Sequence, residues 1–333
     1  MLIISGANGF VGQQLAPLVK KYFKSSDILC LVSKTIDERL LEKRGLEILK
    51  KNGLETLDVD LVTGKNLGKL PRSPELVIHL AANTDTSKSD HRSNDIGTKN
   101  LIKALGPLNS KTHIIYTSTT VLHSGRINCS EPITEMTVPV PTNEYGRSKL
   151  RAERFLEEQA LLQGFRLTVT RINTIYGGDP RTYKMFKVLK KNILAKALTT
   201  RLNWPGKTAI IHVKDVASAL LMFAKKLPAP GKPVIYLLYS ENLTLSEISR
   251  IMYEKMGIKY KPINLPKIFW RFCSFTRRFI PLFEKIIPLS IYNLAWRFGL
   301  IVDDVIWCKS DKAFKALPKW EPRKFKEGFK DEI

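Results

Sequence analysis

The chain opens on a short apolar run that breaks into evenly spaced glycines: Leu2-Ile3-Ile4-Ser5, then Gly6-Ala7-Asn8-Gly9-Phe10-Val11-Gly12. A strand must end there, because three glycines in seven residues cannot propagate a sheet. The amphipathic stretch after them, Phe10–Lys24, reads as a helix with Pro17 as a local irregularity. Strand, glycine turn and helix in that order make an anion site. Gly6 permits the tight turn, Gly9 lets a pyrophosphate approach the backbone, and Gly12 lets the helix pack closely on a sheet. The helix start adds free N–H groups and a positive dipole end. Gly6, Asn8, Gly9, Phe10, Val11 and Gly12 are therefore the expected phosphate-binding turn of a dinucleotide site.

The alternation continues. Strands are expected at Ile28–Ser33, Leu54–Leu57, Leu76–Leu80, His113–Ser118 and Arg166–Thr170, and helices at Asp37–Asn52, Asn94–Leu105 and Glu144–Leu162. Strands alternating with helices imply βαβ units, a parallel sheet and helices on both faces. The expected fold is α/β: a Rossmann-type doubly wound parallel sheet with a smaller, mostly helical C-terminal substrate lobe. Residues 1–180 would form the dinucleotide-binding domain, with 206–228 returning to it. Residues 181–333 would form the main part of the substrate lobe. Thr244 and Glu247 have capping-box spacing at the start of a helix over Thr244–Met256.

Composition excludes several classes. With 44% hydrophobic and 26% charged residues, the chain is neither disordered nor a coiled coil. Its longest uncharged apolar stretch, Ile286–Trp296, is too short to span a bilayer and contains Pro288. No basic region precedes the first apolar run, so the expected location is cytoplasmic. Cys30, Cys129, Cys273 and Cys308 lie far apart and read as isolated thiols, not as a zinc or disulfide framework. The five histidines form no metal-like cluster by spacing, and no metal is expected. The net charge of +23 is uneven: residues 1–180 carry 24 Lys and Arg against 19 acids, and residues 181–333 carry 30 against 12. Such asymmetry points to a polyanionic partner or to a solubilising surface.

Several short motifs, taken together and in this order, resemble the extended short-chain dehydrogenase/reductase superfamily, in its epimerase/dehydratase-like branch. These are the glycine turn in GxxGxxG spacing, His79-Leu80-Ala81-Ala82, Asn94-Asp95-Ile96-Gly97-Thr98-Lys99-Asn100-Leu101, and Ile211-His212-Val213-Lys214-Asp215-Val216-Ala217. The resemblance runs over nearly the whole chain. It implies that Asp60 and Leu61 contact adenine and that Leu80, Ala81 and Ala82 line the cofactor. It also implies dimerisation through helices near 95–105 and 144–162. An acid at the end of the second strand would grip the ribose of NAD, but this strand ends Leu31-Val32-Ser33-Lys34. Ser33 and Lys34 suit a 2′-phosphate, so NADP(H) is expected, with NAD as the alternative; Asp37 and Arg39 lie nearby.

Tyr145-Gly146-Arg147-Ser148-Lys149 is a YxxxK motif near a helix start. The i, i+4 spacing puts Tyr145 and Lys149 on one face. A phenol with a pKa near 10 is a poor base near neutrality, whereas an ammonium and an oxidised nicotinamide ring both favour phenolate. Tyr145 would then exchange a proton with a secondary alcohol or ketone, and Lys149 would tune it and hold the nicotinamide ribose. The resemblance makes Ser118 the residue that bonds the reacting oxygen, with Thr119 as the alternative one residue on.

The expected activity is NAD(P)-dependent hydride transfer at a secondary alcohol or ketone of a small-molecule substrate. Nucleotide-sugar epimerases, dehydratases and reductases are one alternative, and a non-catalytic dinucleotide-binding scaffold is another. Thr208 stands where nucleotide-sugar members of the family often carry arginine. The R-P-x-N-x-Y-G stretch is changed to Arg171-Ile172-Asn173-Thr174-Ile175-Tyr176-Gly177, and no acid follows Ser118 as a dehydratase would use. Residues 261–301 stand apart, with seven Lys and Arg, one acid (Glu284) and nine aromatics. Their pattern suits either a peripheral segment in a membrane interface or the aromatic core of the second lobe. No specific nucleic-acid partner is expected.

Overall fold

A computed structural model describes residues 1–33, 40–178 and 184–329. The first half alternates as the sequence predicts. Its elements are β1 (Leu2–Ser5), α1 (Gly12–Val19), β2 (Ile28–Val32), α2 (Leu40–Lys51), β3 (Glu55–Asp58), β4 (Leu76–His79), α3 (Arg92–Ala104), β5 (His113–Thr119), α4 (Glu144–Gln163) and β6 (Arg166–Ile172). Then follow β7 (Thr174–Tyr176), α5 (Lys184–Leu194), β8 (Lys207–His212), α6 (Val213–Ala224), β9 (Val234–Leu238), β10 (Glu241–Thr244), α7 (Leu245–Lys255), α8 (Lys267–Arg277) and α9 (Leu289–Ile301).

Seven parallel strands form one sheet in the order β3-β2-β1-β4-β5-β6-β9. β1, β2 and β4 are buried along their whole length, as strands covered on both faces must be. On one face α1 and α6 pack through Leu15, Ala16, Val19, Val216 and Leu220. On the other, α3 and α4 pack through Leu101, Ile102, Ala152, Leu156 and Ala160.

Three differences from the expected elements have local causes. The first helix is shorter than Phe10–Lys24, because the glycine turn holds its own bonds up to Gly9 and Lys20 already caps α1. The second lobe is not only helical: β7, β8 and β10 form a small sheet, with β8 parallel to β7 and antiparallel to β10. The chain also returns to the main sheet more than once. Besides α6, the Val-Ile-Tyr-Leu-Leu run of β9 closes its edge, and Ala313, Leu317 and Trp320 join the core under α1 and α6. The four cysteines are buried free thiols. The Thr244–Glu247 capping box is present at α7. Among the described residues no helix is long and apolar enough to cross a membrane.

One close approach locks α2 to the glycine turn. A Cβ on Gly45 would lie 2.1 Å from the carbonyl oxygen of Asn8, and the Gln13 side chain donates to both Asn8 O (3.0 Å) and Leu41 O (2.6 Å). A methyl group there must push backbone against backbone. Gly45→Ala is therefore expected to destabilise the protein by about 1–3 kcal/mol in urea denaturation, despite improving helix propensity. An unchanged or higher midpoint would contradict this packing.

Candidate active site

Parallel α/β sheets gather ligands at the carboxyl ends of their strands. At that end of β1 the turn tightens at Gly6, whose φ of +68° suits glycine, and Gly9 N–H bonds Gly6 O at 3.0 Å. A Cβ on Gly12 would sit 2.4 Å from Ala7 O, so this glycine is needed for the helix to leave the turn. Gly9 differs. A Cβ there would meet one atom within 4 Å, Gly6 O at 3.1 Å, and otherwise open space. That space, in front of the N-terminal end of α1 with its positive dipole end, fits a pyrophosphate. Phe10 faces Gly178, whose added Cβ would touch the ring at 2.9 Å, and Val11 packs on the core.

A hydrogen-bonded relay ties this turn to the next strand. A Cβ on Gly6 would lie 2.7 Å from Ala81 N. Ala81 N–H donates to Ser5 Oγ (3.3 Å), Ser5 Oγ lies 2.5 Å from His79 Nδ1, and His79 Nε2 lies 2.8 Å from Thr98 Oγ1. Thr98 Oγ1 in turn donates to Asn94 O. Burial, assisted by the charge of Lys149, lowers the His79 pKa to about 3. His79 is therefore neutral, and the bonding assigns its proton to Nε2, with Ser5 donating to Nδ1. His79 positions Leu80, Ala81 and Ala82 against the glycine turn.

The second cluster lies at the end of β5. Asn143 caps α4 by accepting from Gly146 N–H (2.8 Å). One turn into the helix, Lys149 is 2% exposed; its Nζ donates to Thr117 O at 2.5 Å and lies 4.2 Å from the centroid of the Tyr116 ring. Burial lowers the Lys149 pKa to about 7, against the opposing charge of Glu153 one turn further on. Glu153 is itself held in a buried ion pair with Arg171 (2.8 Å) on β6. Burial pushes the Tyr145 phenol up to about 12, against the opposing pull of the nearby Thr119 side chain. The expectation that Lys149 draws the phenol down is thus not met in the protein alone, where desolvation wins. Ser118 is also at this strand end, with a buried hydroxyl that has no hydrogen-bond partner. The structure therefore places Ser118 and Thr119 at the end of β5, beside the Thr117 carbonyl that holds Lys149.

The adenine side is less closely drawn. Ser33 O receives a long bond from Asn8 Nδ2 (3.5 Å), and Lys34 lies outside the described residues. Asp60 accepts from the N–H groups of Val62 (2.8 Å) and Thr63 (3.1 Å). Burial opposes them, yet these bonds hold its carboxyl below the usual value. Leu61 is buried below α3, with its carbonyl held by Asn100 Nδ2 at 2.8 Å. Away from the site, His212 caps α6 and Asp215 pairs with Arg323.

Sequence reasoning missed four contributors. Thr117 receives the lysine through its backbone, so no side-chain signal exists. The His91 ring lies 5.7 Å from that of Tyr145. Asn94 bonds Asn83 N (2.7 Å) and Ser148 Oγ (3.0 Å), joining the loop after β4 to α4. Arg147 makes a two-pronged bond to Glu284 (3.0 and 2.5 Å). The Asn94 motif was visible, but its partners were not.

A family model described as "NAD dependent epimerase/dehydratase family" matches residues 2–238. The dTDP-D-glucose 4,6-dehydratase of Dictyostelium discoideum is 27% identical over 251 residues, which are 68% of this chain and 55% of that protein. The chain thus spans about half the length of that relative. In fold it is similar to the UDP-glucuronic acid 4-epimerase of Bacillus cereus in complex with UDP-glucuronic acid and NAD (TM-score 0.73, 17% identity, 99% and 97% of the two chains). It is also similar to RMD of Pseudomonas aeruginosa complexed with NADPH (TM-score 0.64, 18% identity, 98% and 96%).

The buried lysine gives a test independent of substrate. The folded Lys149 pKa, about 7, lies below its value near 10.5 in the unfolded chain. The unfolded state then binds more protons between those pH values, so this group makes stability rise with pH across that window. Lys149→Met should raise the melting temperature at pH 6, and its advantage should shrink towards pH 10. A variant less stable than wild type at pH 6 would contradict the assigned burial cost.

Proposed function

Because the chain belongs to the NAD dependent epimerase/dehydratase family, we propose that it moves hydride between a nicotinamide dinucleotide and a secondary-alcohol carbon of a sugar nucleotide. The observation that carries this reading is buried Lys149, one turn after Tyr145 on α4, bonded to the Thr117 carbonyl at the carboxyl end of β5, two strands from the glycine turn of β1. The substrate class is the one named for the relatives.

Gly6, Gly9 and Gly12 with the start of α1 hold the pyrophosphate, and Leu80–Ala82 flank it. The absence of an acid at the end of β2, together with Ser33 and Lys34, favours the 2′-phosphate of NADP(H). When bound, the oxidised nicotinamide supplies the hydride-accepting carbon and a positive charge that favours phenolate at Tyr145. Tyr145 Oη gives a proton to a carbonyl oxygen during reduction and removes it from the alcohol during oxidation. Lys149 adds charge below the tyrosine and reaches the nicotinamide ribose. Thr119 orients the phenol, and Ser118 bonds the reacting oxygen. Neither Thr119 nor Thr120 offers an acid for eliminating water; Thr120 instead donates to Asn173 (2.8 Å). Oxidation or epimerisation is therefore favoured over dehydration.

The test follows reduction or oxidation of the nicotinamide with UDP- and dTDP-hexoses. Tyr145→Phe should keep nucleotide binding and lose about 10²–10⁴ in turnover. Ser118→Ala and Thr119→Ala separate the two hydroxyl roles: loss of turnover for the first, a shifted pH profile for the second. Full turnover in Tyr145→Phe would overturn the proposal.

A further inference from the structure

Segment 267–301 turns its apolar residues outward. In α8 the inner face carries Trp270, Cys273 and Arg277. Trp270 packs on Trp204 at 5.1 Å between ring centroids and bonds Asn203 Oδ1 (3.2 Å). The outer face carries Ile268, Phe272 and Phe275, spaced i, i+4 and i+7, and Phe279 just after the helix continues the stripe, with Ile268 and Phe272 76% and 65% exposed. The following turn adds exposed Leu282 and Ile286, and α9 adds Leu294. A stripe with core spacing on the solvent side calls for an apolar partner.

Charge narrows the choice. Lys267, Arg271, Arg278 and Lys285 are exposed around this stripe. The one acid of 261–301, Glu284, is occupied by Arg147. Aromatic and aliphatic side chains edged by unopposed cations match the acyl boundary and anionic headgroups of a bilayer. Pro266, Pro281 and Pro288 break the segment into short pieces that lie along a surface.

The segment is also fixed to the site. Arg147, between Tyr145 and Lys149 in sequence, holds Glu284. Tyr292 donates to Thr142 O and Trp296 Nε1 to Thr142 Oγ1 (3.0 Å), just ahead of the α4 cap. Arg277 and Ser274 both bond Asp303 (2.8 and 2.7 Å). We propose that α8, the turn after it and α9 form a rigid docking surface for an anionic bilayer, which seats the N-terminal end of the catalytic helix beside the membrane.

The test is co-sedimentation of the full chain with phosphatidylcholine vesicles, with and without phosphatidylglycerol. It is read beside sedimentation velocity and the melting temperature. Wild type should bind the anionic vesicles and not the neutral ones. Phe272→Glu with Phe275→Glu, both on the outside, should lower binding at least tenfold at an unchanged melting temperature. Arg271→Ala with Arg278→Ala and Lys285→Ala should abolish the preference for anionic lipid. Absence of binding would overturn the proposal, as would binding unaffected by the phenylalanine changes, which marks mere charge attraction. A dimer that the phenylalanine changes convert to monomer, without vesicle binding, would assign the face to a second copy of the chain.

Discussion

The contact on which the site depends is the Lys149 ammonium seated on the Thr117 carbonyl. Burying a cation is costly, and the low pKa of this lysine records that cost. The fold offsets it with a short bond to backbone, the face of the Tyr116 ring and the carboxylate of Glu153. Glu153 would be equally costly alone, and Arg171 on the neighbouring strand holds it. This chain of charges threads α4 to β5 and β6, and so fixes where Tyr145 stands. Stability is given up at one position to hold the start of α4 against the strand ends.

The dinucleotide side depends on steric exclusion instead of charge. Gly6, Gly12 and Gly45 sit where backbones meet too closely for any side chain. Gly9, unlike these three, has one neighbouring atom, Gly6 O, and otherwise faces open space at the helix start, where an anion is favoured. The neutral His79 relay then connects this turn to Thr98 and Asn94, and Asn94 reaches Ser148 on α4. Two binding elements far apart in sequence are thereby held in one hydrogen-bonded frame.

What could be read in the sequence was short-range. The glycine turn, the YxxxK pair and the parallel alternation each rest on spacings of a few residues and fixed helical or strand geometry. What the two hydroxyls at that strand end bond was not readable, because it depends on how the chain turns: Thr119 Oγ1 accepts from Val121 N, and the Ser118 hydroxyl is buried without a partner. The small sheet, the return of β9 and the pairing of Arg147 with Glu284 depend on partners up to 137 residues apart, which no local pattern encodes. Likewise, composition flagged 261–301, but only the structure separated Trp270 and Trp296 on the inner side from Phe272 and Phe275 on the outer.

On this reading the glycine turn and the Tyr145–Lys149 pair converge on one nicotinamide dinucleotide. The most direct measurement is calorimetric titration of the wild-type chain with NAD⁺, NADH, NADP⁺ and NADPH in turn, after checking for nucleotide released on denaturation. Saturable one-to-one binding is expected, tighter for the NADP(H) pair, and lost when Gly9 is replaced by valine. Failure of all four to bind, with no nucleotide released, would contradict it.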